Sequence, residues 1–143
     1  MRSMALEVDA SSRVALLSVV DGNPEVFVVN LDGNGLANLT QSAAVDGCLA
    51  WSPDGTRVAY CSNLNGDWSL FTVQPDGNNA LQLNSGNSYI GSLSWSPDSL
   101  HLVFQADREG FDGIFIVYAN GEQIYALSDR IGVLDSLPVW SPR

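Results

Sequence analysis

The sequence predicts an all-β fold built from three copies of one short repeat, and three observations support this. A tryptophan-led turn segment at Trp51 (WSPDG) returns at Trp95 (WSPDS) and, cut short, at Trp140 (WSPR), at intervals of 44 and 45 residues. Other landmarks keep the same period: Gly22, Gly66 and Gly110; Phe27, Phe71 and Phe115; Leu39, Leu83 and Leu127. The segments between them are short and rich in β-branched and aromatic residues. A repeat of about 40 to 50 residues with this content is typical of a β-propeller with one four-stranded antiparallel blade per copy.

The strands of each copy can be placed from its turns. In the second copy, strands are expected at 57–62, 68–74, 81–84 and 89–95, with a polar loop at 85–87. The first two strands are nearly continuous apolar runs, as expected when neighbouring blades cover both faces. The third strand alternates apolar and polar residues, as an outer edge strand with one solvated side does. The strand that ends at tryptophan is then expected to lie innermost, at the axis of the propeller. The other copies repeat this at 13–20, 25–31, 35–40 and 47–51, and at 100–106, 113–118, 123–128 and 137–140. We therefore expect one domain over 1–143, with blades at about 13–54, 57–98 and 101–142.

The Ser-Pro-Asp-Gly segment is suited to a tight turn between the innermost strand and the next strand. Proline presets φ at the first turn position, aspartate bonds nearby backbone N–H groups, and glycine accepts positive φ. The tryptophan before it is expected to fill the space between adjacent blades while its indole N–H finds an acceptor.

These motifs resemble the TolB-type β-propeller repeat, in which Asp and Pro precede Trp-Ser-Pro-Asp-Gly and a later strand ends in Asp-Gly before Leu-Thr. The resemblance covers nearly the whole chain and implies a six-bladed ring, of which three blades would be half. The chain departs from the family pattern at Ser99, which replaces glycine, and at Ile90, which replaces aspartate. TolB itself carries an additional α/β domain that has no counterpart here, so its cellular role is not carried over. The matching residues are Asp135, Pro138 and 140–142, together with 51–55, Asp32-Gly33 and Leu39-Thr40.

The amino-acid composition limits the classes of partner that the chain can bind. Apolar residues make up 45% and charged residues 15%, which excludes a disordered chain. Sixteen acidic residues against six basic ones give a net charge of −10, which argues against nucleic acid and membrane surfaces as partners. No stretch approaches a membrane span in length and no signal peptide is visible, so we expect a soluble protein, either cytoplasmic or processed and periplasmic.

Cys48 and Cys61 flank the Pro53-Asp54-Gly55 turn almost symmetrically. A tight hairpin would place them on facing strands, whereas a shift of one residue would pair Cys48 with Tyr60. Disulfides between adjacent strands are geometrically awkward, so the sequence favours two buried free thiols, with a disulfide as the alternative.

Candidate catalytic chemistry is sparse. His101 is the only histidine; it aligns with Arg13 and Arg57 at a strand start and is expected on the surface without a catalytic or metal-binding role. The sequence shows no serine elbow, phosphate loop or zinc spacing. The segment 30–35 (NLDGNG) resembles the start of a calcium loop, but Gln41 stands where a bidentate glutamate is needed. No cofactor or metal is therefore expected, with calcium as the weaker alternative.

The remaining functional hint is a set of acidic loops. The loops that join the first and second strands and those that lead into the innermost strand should lie at the same end of a blade. They predict a face that binds a cation, a protein or basic peptide, or a small ligand, with ordinary turn chemistry as the alternative. Its candidate residues are Asp21, Asp46, Asp67, Asp107, Asp112 and Asp135.

The sequence thus predicts a non-enzymatic binding module, with a propeller-type lyase or hydrolase as the alternative. Three blades cannot close a ring, so we expect two copies to form one six-bladed homodimer. Residues 4–12 align with an innermost strand but carry Glu7 where tryptophan belongs. We therefore expect the C-terminal strand to complete the partner's first blade, with Leu137, Val139 and Trp140 in the interface. A fragment of a longer propeller is the other possibility.

Overall fold

The chain is built from antiparallel β-strands. The computed structural model describes residues 2–8, 12–108, 110–127 and 138–142. In these ranges no helix has the length and apolar character needed to cross a membrane. Their strands are Arg2–Val8 (β1), Arg13–Val20 (β2), Asn23–Asn30 (β3), Ala37–Asn38 (β4), Asp46–Trp51 (β5), Val58–Ser62 (β6), Trp68–Val73 (β7), Leu81–Trp95 (β8), His101–Arg108 (β9), Phe111–Tyr118 (β10) and Ile124–Ala126 (β11).

The strands form three four-stranded blades. The first sheet has the order β1-β2-β3-β4, and the second has the order β11-β10-β9-β8-β7-β6-β5. The long strand β8 serves two blades, since Leu81 lies opposite Thr72 of β7 and Trp95 lies opposite Leu102 of β9. The predicted all-β propeller is confirmed, and three consecutive blades are consistent with half of a six-bladed ring.

The blades are offset by one strand from the sequence repeats 13–54, 57–98 and 101–142. Strand β5, which ends at Trp51, pairs with β6 of the following repeat rather than with β4. The turn explains this, because the backbone N–H of Ser52 donates to the Arg57 carbonyl at 2.9 Å and closes a tight hairpin. Each blade therefore begins with the strand that the sequence repeat places last.

Strand β1 occupies the innermost position of the first blade. It pairs with β2 from Arg2 opposite Val19 to Val8 opposite Val14. The strand exchange expected from the sequence would leave the first few residues displaced or loosely ordered. In the single chain they fill it, so any exchange with a second copy has to displace β1.

Two apolar clusters fill the spaces between the blades. Strand β6 contributes to both, because Val58 and Tyr60 face the first blade while Ala59 faces the third. Both faces of the middle blade are thus covered, as its apolar runs predict. The first cluster includes Ala15, Leu17, Val26, Val28, Trp51, Phe71 and Val73, and the second includes Ala50, Leu70, Leu83, Trp95, Leu102, Phe104, Phe115 and Val117.

Cys48 and Cys61 are joined in a disulfide, with their Cα atoms 5.5 Å apart, so the expectation of free thiols is wrong. The register of β5 shifts between Gly47 and Leu49, and Cys48 has a positive φ of 22° at this bulge. Neither of the two regular registers considered from the sequence includes a bulge. The extra residue turns the Cys48 side chain towards Cys61, which pairs with Gly47 across the ladder.

Candidate functional site

The acidic loops share one end of the blades, here named the acidic end. The β2–β3, β6–β7 and β9–β10 turns lie at this end. The innermost strands begin there too, because Arg2 lies opposite Val19, Asp46 opposite Ser62, and Asn87 opposite Arg108. The antiparallel hairpins therefore bring both loop sets to one end within each blade.

Asp21 and Asp67 are exposed and lie in two equivalent turns of the acidic end. Asp21 has a φ of 52° and the following Gly22 a φ of 81°, as in a two-residue hairpin turn of type I′. In the second blade the glycine with positive φ is Gly66, which precedes Asp67. Both carboxylates are open to a partner from solution.

Asp107 and Asp112 lie directly opposite each other across the β9–β10 ladder, and both are half-buried. The Tyr89 hydroxyl donates a hydrogen bond to Asp112 and accepts one from the Gln105 amide at 3.2 Å. Burial, the bond to Asp112 and the two negative charges raise the pKa of Tyr89, whereas the Gln105 bond lowers it. Like charges facing each other across a ladder weaken a sheet.

Asp46 differs from the candidate aspartates Asp21, Asp67, Asp107 and Asp112 because it is buried, with 3% of its surface exposed. Burial raises the pKa of its carboxyl; the hydroxyls of Thr40 and Ser62 lower that pKa in part, and the charge of Glu25 raises it. Neither carboxylate oxygen has a hydrogen-bond partner of normal geometry among the described residues. Asp46 therefore lies between the first two blades rather than on the loop surface.

The last repeat is described only in part. Asp135 and Leu137 lie outside the described residues. Val139 is 81% exposed, while Trp140 is half-buried and donates from Nε1 to the Ser94 carbonyl at 3.0 Å. Trp95 makes the equivalent bond to the Ala50 carbonyl, also at 3.0 Å. The predicted role of these two indoles between neighbouring inner strands is confirmed.

His101 is half-buried rather than on the open surface. Its ring lies 4.5 Å from that of Tyr118 and 6.1 Å from that of Trp140, and its Nδ1 is 3.8 Å from Asp98. The sequence comparison with Arg13 predicts a solvated position, whereas Trp140, at the innermost position of the next blade, lies beside His101 as Trp51 lies beside Arg13. The described residues contain no group of three or more His, Cys, Asp or Glu side chains that could hold a metal ion.

Two polar residues of the acidic end were missed from the sequence. Glu25 is 9% exposed and accepts a hydrogen bond from the Asn38 amide, and Tyr89 carries the bond to Asp112. Glu25 stands directly before the apolar run 26–29 and begins the strand expected at 25–31, so its position at a strand end gave no signal of burial. Tyr89 gave no signal either, because aromatic residues are common in strands.

The repeats of the chain match a family model. The model described as the TolB beta propeller domain matches residues 8–143. The chain belongs to the TolB β-propeller domain family. No curated protein sequence matches this TolB-type chain at a significant level.

Solved structures show the same fold at low identity. A putative TolB from Agrobacterium tumefaciens is 16% identical, with a TM-score of 0.82 over 99% of this chain and 55% of its own. TolB from Acinetobacter baumannii is 16% identical, with a TM-score of 0.73 over 87% of this chain and 32% of its own. An oligogalacturonate lyase from Vibrio parahaemolyticus is 18% identical, with a TM-score of 0.65 over 90% of this chain and 36% of its own. The TolB-type chain therefore spans about half or less of each of these proteins.

Proposed function

We propose that this chain is a non-enzymatic binding module that forms a six-bladed ring with a second copy and binds a partner at its acidic end. The observation that carries the proposal is the repeated inter-blade contact. Trp140 bonds Ser94 as Trp95 bonds Ala50, so the chain continues into the innermost position of a blade beyond its third. A second copy is the simplest source of that blade.

The third blade has a face suited to this contact. Val103 and Ile114 occupy the positions of Ala59 and Leu70, which pack against the next blade inside the chain. With Ile116 they line a groove of about 190 Å³ that also includes Leu127 and Val139. Leu127 is 60% exposed and Val139 is 81% exposed, so apolar surface remains for a partner blade to cover.

An exchange of strands between the two copies determines how the second copy is placed in the ring. In the exchange, residues 137–142 of each chain take the innermost position of the partner's first blade and displace β1. In the first blade Val8 lies opposite Val14, the position that Trp51 and Trp95 hold opposite Val58 and Leu102, so the sequence spacing that assigned this position to Glu7 is off by one residue. Strand β1 therefore has no tryptophan there. The C-terminal segment restores the missing indole through Trp140.

The acidic end supplies the binding surface. Asp21 and Asp67 are exposed, and Asp107 faces Asp112 across a ladder where like charges are unfavourable without a cation. The net charge of −10 also attracts basic partners. We expect a basic peptide, a basic protein segment or a cation such as calcium to bind there.

The absence of catalysis is part of the proposal. His101 lies against two aromatic rings at the end of the blade opposite the acidic end. A lyase or hydrolase is the alternative, since a lyase shares the fold. His101→Ala should leave any turnover unchanged, and a loss of turnover in this variant would favour the enzyme.

The assembly is tested by light scattering at micromolar concentration, where the native chain should show about twice its own mass. Deletion of residues 137–143 should break the dimer, while Leu64→Ala, an exposed position in the β6–β7 turn of the middle blade, should leave it intact. A well-folded native monomer contradicts the proposal, and so does a dimer that survives the deletion.

Ligand binding is tested separately by thermal denaturation with calcium or a basic peptide. A ligand at a hundredfold excess over its Kd should stabilise the protein by about 2.7 kcal/mol. The double change Asp107→Asn and Asp112→Asn should reduce this shift. Asp76→Asn at the opposite end is the matched control, and an equal loss in the control or no shift with either ligand rejects the acidic end.

A further inference from the structure

A second pocket lies at the end of the third blade opposite the acidic end. It has a volume of about 330 Å³, within the range of small-molecule sites. The pocket lies between the blade and the C-terminal segment 138–142. Its principal lining residues are Ser96, Asp98, His101, Ile116, Trp140 and Ser141.

The first repeat shows what occupies the equivalent place. Arg13 and His101 begin equivalent strands, and Trp51 and Trp140 are equivalent indoles of the following inner strand. The guanidinium carbon of Arg13 lies 5.1 Å from the centre of the Trp51 ring, and its Nη2 donates to the Gly55 carbonyl at 3.4 Å. At the boundary between the first two blades, a guanidinium therefore covers the indole.

The third repeat has a shorter side chain in this position. The imidazole of His101 is tilted by 40° to the Trp140 ring and packs more closely against Tyr118, at 4.5 Å. Histidine lacks the length and the planar fork of donors that arginine has. The replacement leaves open a space that Arg13 fills in the first repeat.

The walls of this space carry groups that attract a guanidinium. The Trp140 ring offers a π face, and its Nε1 bond to Ser94 fixes its orientation. The side chain of Asp98 is 30% exposed, and its Oδ1 accepts hydrogen bonds from the Ser96 hydroxyl and from the Leu100 N–H, the latter at 3.0 Å. A carboxylate held in place beside an aromatic face suits arginine better than lysine.

We propose that this pocket binds the side chain of an arginine that a partner protein presents. The site is distinct from the acidic end, because it lies at the other end of the blades. The protein's net charge of −10 favours the approach of a basic segment. The arginine then takes the place in the third repeat that Arg13 holds in the first.

Calorimetric titration with N-acetyl-arginine amide tests the proposal, with the citrulline and lysine analogues as ligand controls. Citrulline keeps the shape of arginine without the charge, so it should not bind, and lysine should bind more weakly. Asp98→Asn should weaken arginine binding by about tenfold or more. Asp76→Asn, an exposed carboxylate in another turn at the same end, should leave it unchanged.

His101→Arg is the most specific variant, because the new side chain should occupy the pocket as Arg13 occupies its own. Binding of the arginine analogue should then be lost while the thermal unfolding profile stays native-like. The titration is repeated in Arg143→Ala, which removes the chain's own terminal guanidinium, and saturable binding in either protein supports the site. The proposal is overturned if neither the native chain nor Arg143→Ala binds the arginine analogue, or if citrulline binds equally well. It is also overturned if a folded His101→Arg or Asp98→Asn variant binds the arginine analogue as well as the native chain does.

Discussion

Trp95 and Ala50 are joined by a hydrogen bond of 3.0 Å from the indole Nε1 to the backbone carbonyl. The two residues belong to the innermost strands of adjacent blades, so the bond links one blade to the next. Trp140 repeats it with Ser94. Both Trp95 and Ala50 are buried in the second apolar cluster, where an unpaired carbonyl would not be solvated.

Trp95→Phe is predicted to lower the free energy of unfolding by about 1–3 kcal/mol, because it keeps an aromatic ring and leaves the Ala50 carbonyl without its donor. Trp95→Ala should cost about 3–5 kcal/mol, since a cavity is added. Urea denaturation at fixed protein concentration measures both. Leu31→Ala, which is 63% exposed, is the control, and a Trp95→Phe protein as stable as this control contradicts the role of the bond.

Ser99 holds the left-handed position of its turn, with a φ of 62°, where the preceding copy has Gly55. Its hydroxyl accepts a hydrogen bond from the Asp54 N–H at 3.1 Å, which links two consecutive turns. Ser99→Ala keeps the backbone strain and loses the bond, so it should destabilise the protein by about 0.5–1.5 kcal/mol. Ser99→Gly loses the same bond but relieves strain of about 1–2 kcal/mol. The glycine variant should therefore be the more stable of the two in urea denaturation, and the reverse order would contradict this account.

Asp46 is predicted to make stability fall as pH rises. Burial raises its pKa, so the folded state binds this proton more tightly than the unfolded chain, whose pKa is near 3.8. The contribution of Asp46 to the free energy of unfolding is therefore most favourable below pH 3.8, and it is lost as pH rises towards the folded pKa. Relative to the native chain, Asp46→Asn should gain in stability as pH rises from 3.8 through the folded pKa of Asp46. Urea denaturation across this range measures the change.

Asp54 is the control for Asp46, because its pKa is shifted in the opposite direction. Burial alone would raise its pKa, but hydrogen bonds from Ser52 and from the backbone and side chain of Thr56 outweigh burial and lower it. Asp54 should thus stabilise the protein above pH 3.8, and this contribution should be lost as pH falls through the folded pKa of Asp54. Asp54→Ala should lose relative stability as pH rises. Parallel pH profiles for Asp46→Asn and Asp54→Ala would contradict the assignment of the two environments.

The disulfide is predicted to stabilise the fold by about 2–3 kcal/mol, because it closes a short loop in the unfolded chain. Its cysteines are 13 residues apart in sequence. The double change Cys48→Ser and Cys61→Ser should lower the free energy of unfolding in urea denaturation by that amount, and addition of a reductant should then have no further effect. Thiol titration of the unfolded native chain should find no free thiol before reduction; two reactive thiols would contradict the bond.

Much of the fold could be predicted from the sequence because the repeat fixes the strands and their turns. The strand predicted at 13–20 matches β2, and the strand predicted at 68–74 differs from β7 by one residue. The predicted loop at 85–87 is part of the continuous strand β8, because Asn87 pairs with both Trp68 and Arg108. Local polarity cannot show that a segment has partners on two sides.

The candidate site could be predicted less well, because its details depend on contacts between blades. The sequence places Asp46 in a loop, and only the packing of Glu25 and Thr40 from the first blade reveals that it is buried. His101 looks like a surface residue in the sequence, but Trp140 from the innermost position of the next blade lies beside its ring. The disulfide depends on a bulge at Cys48, and such a local irregularity leaves no mark in the hydrophobic pattern.

The offset between the sequence repeats and the blades has a consequence for how such a protein can grow. Because β5 pairs with β6 of the following repeat, each blade joins two successive copies of the repeat. An in-frame duplication of one whole repeat, wherever its ends fall, then supplies one complete extra set of strands in the right order. Gene duplication can thus lengthen the blade series without a new turn or a new pairing rule, while a duplication that is not a whole number of repeats would break the strand order.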